Sequence, residues 1–230
     1  MIDIPKILDE QTLKERESRT VKSWHPSALG MCLTGLYFER LGVPPDREFG
    51  AKDLDLFDSG KDGENRIVSK LERTGRKIEK QVEYFLPEFD MHGFLDVMVD
   101  GLPVEIKTTN SSAMKYIFEE GKPKINHAMQ LWTALKGLNK EVGVVVYQGR
   151  DYNGKLQFPV YLKDEEIESA VTREATILTE AWKEKTPPPV PDDLPKWKGV
   201  YCRWHKQCLQ TNTITYESSD KLPIVQLASN

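Results

Sequence analysis

The stretch that decides the fold is residues 93–107, GFLDVMVDGLPVEIK, which predicts two short strands joined by a tight turn. The turn falls at Asp100-Gly101, a dipeptide that favours two-residue hairpin loops. Apolar and polar side chains alternate on both sides of it, as in half-buried strands. In the second strand this alternation places Glu105 and Lys107 on one face. When the hairpin closes, Asp96 of the first strand can approach Glu105.

Two carboxylates and an ammonium group are therefore expected to converge beside an apolar core. Carboxylate oxygens are the ligands that hard divalent cations prefer, and a metal with a lysine beside it is the minimum for metal-assisted cleavage of a phosphodiester. Glu-x-Lys alone is a weak signal, because a second copy stands at Glu120-Gly121-Lys122 in a predicted polar loop. Acidic residues are depleted in strands, so the context of the first copy favours a functional site over a solvated hairpin.

The composition is that of an ordinary globular protein, with 39% hydrophobic and 30% charged residues in a chain of 230. No apolar run approaches the roughly 20 residues that span a bilayer, so we expect no membrane partner. The first 20 residues are charged and lack the apolar segment of a secretion signal. We therefore expect a cytoplasmic protein, or one in the host cytoplasm if it comes from a phage.

The formal net charge is −4, so the surface as a whole does not favour nucleic acid. Basic residues nevertheless cluster on both sides of the predicted hairpin. The clusters are Arg66, Lys70, Arg73, Arg76, Lys77 and Lys80, and Lys115, Lys122 and Lys124. They are either solvated helix faces, since glutamates are interleaved with the first cluster, or a rim that contacts DNA phosphates around an acidic site.

The order of patterns along the chain predicts an α/β fold with a mixed central β-sheet flanked by helices. Helices are predicted from His25-Pro26-Ser27 to Gly42 and over 54–74, 111–118, 126–138 and 164–185, and strands over 82–86, in the hairpin and over 142–147 and 157–162. The domain organisation is a lead-in (1–22), a core (23–185), a proline-rich spacer (186–195) and a cysteine-containing tail (196–230) that packs on the core.

Asp96 followed by Glu105-Ile106-Lys107, between a preceding helix and a following helix and strand, resembles the PD-(D/E)XK nuclease superfamily. The similarity is greatest to its RecB-like branch, which includes CRISPR-associated and phage exonucleases. Gly60-Lys61-Asp62-Gly63-Glu64 resembles the branch's Gly-x-x-x-(His/Glu) signature, and Gln130 the first residue of its Gln-x-x-x-Tyr helix. The stretch from Ser27 through Cys32 and Tyr37 to Gly42 resembles its first helix. Two positions depart from the pattern: Ala134 replaces the tyrosine, and Glu64 stands where many members carry histidine.

The resemblance implies a restriction-endonuclease-like core and a nuclease dependent on Mg²⁺ or Mn²⁺ with DNA as its partner. Asp96, Glu105 and Glu64 would be metal ligands, joined by the backbone carbonyl of Ile106. Lys107 would position the attacking water or offset charge on the phosphate. Gln130 would orient the water or a ligand. These are the predicted catalytic residues (Asp96, Glu105, Lys107, Gln130) and metal residues (Glu64, Asp96, Glu105, Ile106).

Iron–sulfur members of the branch carry one cysteine on the early helix and a Cys-x-x-Cys-x5-Cys group near the C-terminus. Cys32, Cys202 and Cys208 match three of these positions, Gly199 replaces the fourth, and His205 lies between the last two cysteines. Cys32, Cys202, His205 and Cys208 could hold an iron–sulfur cluster, which the resemblance favours, or Zn²⁺ in a Cys₃His set. Alternatively the cysteines are small buried residues. A bound metal would tie the C-terminal segment to the N-terminal helix.

The leading functional prediction is an exonuclease that acts on DNA ends or single strands. The first alternative is a structure- or sequence-selective endonuclease on the same scaffold. The second alternative is a DNA-binding or assembly protein that does not catalyse a reaction.

Overall fold

A computed structural model describes residues 3–15, 21–152, 154–189, 202–204 and 206–208 of the chain. Its helices are α1 (Ile4–Lys14), α2 (Leu33–Leu41), α3 (Ala51–Glu72), α4 (Ser111–Glu120), α5 (Ile125–Gly137) and α6 (Glu165–Glu184). Its strands are β1 (Ile78–Leu86), β2 (Met91–Val99), β3 (Leu102–Thr109), β4 (Val142–Gly149) and β5 (Lys155–Tyr161). Short 3₁₀ turns span Pro26–Ala28 and Pro87–Phe89.

The five strands form one mixed sheet in the order β1-β2-β3-β4-β5. Neighbours are antiparallel except for β3 and β4, which are parallel. A parallel pair needs a crossover connection, and α4 and α5 supply it. This confirms the predicted α/β class with a mixed sheet and flanking helices. No helix in the described ranges has both the length and the apolarity needed to cross a membrane.

The β2–β3 hairpin closes as predicted. Asp100 and Gly101 have φ values of 50° and 84°, the left-handed conformation that a two-residue turn of this kind requires. Aspartate and glycine tolerate it better than most residues. Beyond the turn, Val99 pairs with Leu102 and Val97 with Val104, so Asp96 and Glu105 come next on their strands.

Helices pack on both faces of the sheet. The larger apolar cluster joins α2, α5 and α6 to the sheet and includes Val145 and Tyr147 of β4; the smaller one joins Val68 of α3 to Val104 and Ile106 of β3. Successive strand residues point to opposite faces. Ile106 therefore faces α3, and its neighbours Glu105 and Lys107 face the side that α5 covers.

The predicted start of the first helix is wrong. Instead of one helix from residue 25, the chain forms the Pro26–Ala28 turn, reverses at Gly30 with a φ of 78°, and begins α2 only at Leu33. Glycine adopts this φ at little cost. Cys32 consequently lies at the N-cap of α2 and not within the helix.

The described C-terminal residues pack on the N-terminal part of the chain, as predicted. The indole of Trp204 donates to the carbonyl of Val43 at 2.8 Å, and Gln207 donates to the carbonyl of Pro44 at 2.8 Å. The amide of Asp46 donates to the carbonyl of Arg203 at 2.7 Å. Residues 190–201 and 209–230 lie outside the described residues, so the boundaries of the spacer and tail stay predictions.

Helix α3 lies unusually close to β3 because Gly63 has no side chain. A Cβ atom built on Gly63 would lie 2.3 Å from Cγ2 of Thr108, whereas one built on Gly60 would lie 3.8 Å from Oγ1 of the same residue. The first distance is a clash and the second an ordinary contact. Gly63 thus sets the depth at which α3, and with it Glu64, approaches the sheet.

We expect Gly63→Ala to lower the free energy of unfolding by about 1–3 kcal/mol, since it overpacks a filled interface. Gly60→Ala is the matched control and should be neutral or stabilising by up to about 1 kcal/mol, because alanine is the better helix former. Denaturant unfolding of both variants measures the difference.

Thr108→Ser removes the methyl group that alanine would meet. In that background Gly63→Ala should recover most of the lost stability. Equal stabilities for Gly63→Ala and Gly60→Ala would contradict the close-packing account.

Candidate functional site

Asp96, Glu105 and Lys107 lie together just beyond the Val97–Val104 pair, the last pair between β2 and β3. The carboxylate of Asp96 accepts a hydrogen bond from the backbone amide of Ile106 at 2.6 Å. The side chain of Glu105 is 1% exposed, and its Oε1 lies 2.8 Å from Nζ of Lys107. The carboxyl groups of Asp96 and Glu105 are within hydrogen-bonding reach of each other. The three groups that the hairpin was predicted to bring together are therefore neighbours.

Gln130 reaches the same cluster from α5. Its Oε1 accepts a hydrogen bond from Nζ of Lys107 at 2.9 Å. Lys107 is thus held between Glu105 on its own strand and Gln130 on the helix that covers this face. This hydrogen bond joins α5 to β3, and the role of Gln130 in orienting water or a ligand stays a prediction.

Glu64 approaches from α3 and is held by a residue that sequence reasoning missed. Its Oε1 accepts a hydrogen bond from Nε2 of Gln81 at 2.9 Å. Gln81 has a φ of 48°, which is rare outside glycine. In the β1–β2 ladder, Lys80 pairs with Val97 and Val82 pairs with Leu95, but Gln81 and Asp96 between them are not paired. This irregularity in β1 lies directly beside the carboxylates, where strained backbone is often found. The sequence of β1 gives no signal for it.

The electrostatics of the site are dominated by buried negative charge. Burial, followed by the charge of Glu105, raises the pKa of Asp96 well above its usual range. Burial also raises the pKa of Glu105, despite the opposing effect of Lys107. Burial and then Asp96 raise the pKa of Glu64 to about 7. A cation bound among these oxygens would relieve the burial and repulsion that cause the shifts.

Lys107 is the principal positive charge in this cluster. Burial acts to lower the pKa of its ammonium, but the charges of Glu105 and Asp96 outweigh burial and the pKa is raised. Burial and then Lys107 lower the pKa of nearby His127 to about 3, so this imidazole is neutral. His127 Nδ1 lies 2.8 Å from the hydroxyl of Tyr147, the residue that faces Lys107 across the β3–β4 ladder.

The donor chemistry of the carboxylates fits Mg²⁺ or Mn²⁺, which prefer oxygen ligands. Oε1 of Glu105 is buried and, although it pairs with Lys107, has no aligned hydrogen bond. Among the described residues, no group of three or more His, Cys, Asp or Glu side chains is already arranged to hold a metal ion. The four predicted metal residues therefore fit by chemistry and proximity, and their role as ligands stays a prediction.

The aromatic residue missing from the α5 pattern is not replaced by Trp132. Trp132 is buried, and its indole donates to the carbonyl of Leu162 at 2.8 Å. Tyr84 of β1 instead reaches towards Gln130: its hydroxyl lies 2.9 Å from Oγ1 of Thr133, which donates to the carbonyl of Gln130 at 2.7 Å. A tyrosine thus supports this turn of α5 from another element, which a linear motif cannot reveal.

The three cysteines meet between α2 and the C-terminal segment. The thiol of Cys32 interacts with those of Cys202 and Cys208, and these hydrogen bonds lower the pKa of Cys32 strongly. Cys32 and Cys208 are 176 positions apart in the chain, so this interaction joins the C-terminal segment to the N-terminal part. His205, the fourth predicted ligand, lies outside the described residues.

No protein-family model matches the chain, and no curated protein matches it. Solved structures share its fold. The crystal structure of SSO0001 superposes with a TM-score of 0.53 at 18% identity, over 95% of this chain and 97% of that one. An alkaline exonuclease, LHK-Exo from Laribacter hongkongensis, gives 0.53 at 18% identity over 76% and 97% of the two chains. The same exonuclease in complex with dAMP gives 0.51 at 16% identity over 78% and 97%.

We expect Asp96→Asn to raise the melting temperature of the metal-free protein. Asparagine removes one of two adjacent buried charges while keeping an oxygen for the amide of Ile106. The stabilisation should be on the order of 1 kcal/mol, measured by thermal unfolding in EDTA at neutral pH. Saturating Mn²⁺ should stabilise the wild type but not the variant.

Asp100→Asn in the same hairpin is the matched control. Asp100 pairs with Arg76 at the surface, and this partner lowers the pKa of its carboxyl, so neutralising it should not stabilise the protein. A destabilising effect of Asp96→Asn, or Mn²⁺ stabilisation equal to that of the wild type, would contradict the electrostatic account.

Proposed function

We propose that the chain is a metal-dependent DNA nuclease that hydrolyses phosphodiester bonds, acting on DNA ends or single strands. The observation that supports this most strongly is the convergence of Asp96, Glu105 and Lys107 on one buried patch, with Gln130 bound to the lysine. The fold shared with an alkaline exonuclease adds support. Membership of the PD-(D/E)XK superfamily, and of its RecB-like branch, is part of this proposal.

The two Glu-x-Lys copies, of which the sequence context favours the first, lie in different surroundings. Glu105 and Lys107 lie on a central strand, paired with each other and with α5. Glu120 is exposed at the last position of α4, and Lys122 is exposed beyond it. The first copy has the Asp96 carboxylate of the neighbouring strand beside it, and it is the one we assign to chemistry.

Asp96, Glu105 and Glu64, with the carbonyl of Ile106, would hold Mg²⁺ or Mn²⁺. When bound, such a metal supplies Lewis acidity at the scissile phosphate and lowers the pKa of water. Lys107 is held as a cation by Glu105 and Gln130, so it would stabilise negative charge that builds on the phosphate. Gln130 fixes the position of Lys107 through its hydrogen bond, and burial of Glu105 excludes bulk water from this side.

The basic clusters do not contribute equally to DNA binding. In the first cluster, Arg76, Lys77 and Lys80 pair with Asp100, Glu79 and Glu72, which favours the solvated-face reading for these residues. Lys122 and Lys124 have no ion-pair partner among the described residues. The amide of Lys124 donates to the hydroxyl of Tyr147 at 3.0 Å, which places it beside Lys107. We assign phosphate contacts to the Lys122–Lys124 connection.

We further propose that the thiols of Cys32, Cys202 and Cys208, together with His205, hold an iron–sulfur cluster, with Zn²⁺ as the alternative. The meeting of the three thiols supports this. The role would be structural, because the ligands would join α2 to the C-terminal segment and stand apart from the carboxylate site.

The proposal predicts Mg²⁺- or Mn²⁺-dependent hydrolysis of DNA by the purified protein. Loss of linear DNA with circles left intact indicates an exonuclease, and nicking of closed circles indicates an endonuclease. Lys107→Ala should reduce the rate by about 100-fold or more, the usual effect of removing a group that stabilises transition-state charge. Gel assays on linear and circular single- and double-stranded DNA measure it.

Glu105→Gln should abolish activity, while Glu120→Gln, in the second copy of the tripeptide, should leave it unchanged. Retained DNA binding without hydrolysis by the wild type at any metal concentration would favour the binding-protein reading and contradict this proposal.

A further inference from the structure

The open face of the β1–β2 ribbon carries three neighbouring aromatic rings. Phe85 and Phe94 are 49% and 46% exposed. The ring of His92 lies between them, 6.4 Å from Phe85 and 5.1 Å from Phe94, centroid to centroid. Their strand neighbours Tyr84 and Leu95 are buried, so the three rings, the aromatic patch, point away from the core. An exposed aromatic cluster of this kind marks an interaction surface.

The charge around the aromatic patch does not suit a phosphate. Residues 81–86 and 91–96, which make up this part of the ribbon, contain no lysine or arginine. The charged group among the rings is Glu83, which pairs with His92 at 2.8 Å. A ligand that is flat, apolar on its faces and uncharged fits this surface, and an unpaired nucleobase has these properties.

The aromatic patch is continuous with the candidate site. Phe94 precedes Asp96 by two positions on β2, about 7 Å along a strand. A cavity of about 140 Å³ is lined by both Phe94 and Gln130, together with Ser27, Tyr84 and Gly93. Gln130 in turn binds Lys107. A strand that runs from the carboxylates along β2 would therefore place its next bases on the rings.

We propose that Phe85, His92 and Phe94 form a stacking surface for unpaired bases, so that the DNA strand next to the scissile phosphate is single-stranded. This inference rests on the proposed nuclease function and specifies its substrate. In a duplex the faces of the bases are already stacked on one another and are not available to the rings. Alternating aromatic side chains on a sheet stack successive bases in other single-strand binders.

The test is equilibrium binding in EDTA, where no metal-dependent cleavage occurs. The probes are a fluorescein-labelled 20-nucleotide oligothymidine and an oligomer of the same length with abasic sugars. We expect the wild type to bind oligothymidine more tightly. The Phe85→Ala/Phe94→Ala variant should bind oligothymidine about tenfold or more weakly, as stacking losses imply, with unchanged affinity for the abasic oligomer. Tyr161→Ala is the matched control, because it removes an exposed ring from β5 at the other edge of the sheet. It should leave the affinity for both probes unchanged.

Phe94→Trp keeps a stacking ring and should retain the preference for oligothymidine, which separates loss of stacking from loss of folding. Equal binding of both probes by the wild type would overturn the inference. An equal loss of affinity for both probes in the double variant would also overturn it. Because binding is measured without hydrolysis, these outcomes are distinguishable from failure of the nuclease proposal, which is absence of cleavage with Mg²⁺ or Mn²⁺.

Discussion

The structure depends on the burial of Asp96 and Glu105 side by side. Two adjacent carboxylates in a poorly solvated place oppose folding, and the raised pKa values of both groups express that cost. Lys107 offsets part of it at 2.8 Å from Glu105, and the amide of Ile106 offsets another part. Buried charge without full compensation is rarely retained for stability alone. The cation site that we propose for these carboxylates would account for it in this chain.

The rest of the fold holds this arrangement in place. The Asp100-Gly101 turn sets the register that brings Asp96 to β3. The parallel crossover through α4 and α5 returns Gln130 to Lys107. Gly63 lets α3 approach Thr108 closely enough for Glu64 to join from the other side. Together, the turn, the crossover and the close helix contact bring side chains from β2, β3, α3 and α5 to one place. The open part of the β1–β2 ribbon extends from this place as an aromatic surface without lysine or arginine, while the α4–α5 connection borders the site with lysines.

Much of this could be predicted from the sequence because its signals are short-range. The hairpin, the alternation that puts Glu105 and Lys107 on one face, and the helices of Glu64 and Gln130 follow from turn chemistry and hydrophobic periodicity. The break at Gly30 could not be predicted, since one glycine in a helical pattern is ambiguous. Gln81, Tyr84 and His127 were also missed as parts of the site, because their roles come from contacts between elements far apart in the chain. Phe85 and Phe94 look like ordinary strand residues until the structure shows which face is left uncovered.

The most direct test of the central claim is anomalous diffraction at the manganese edge from crystals of the protein soaked in Mn²⁺. If the buried carboxylates form a cation site, an anomalous peak will lie between Asp96 and Glu105, with Lys107 still bound to Gln130. Crystals that show no peak there at saturating Mn²⁺, with the two carboxylates still adjacent, would contradict it.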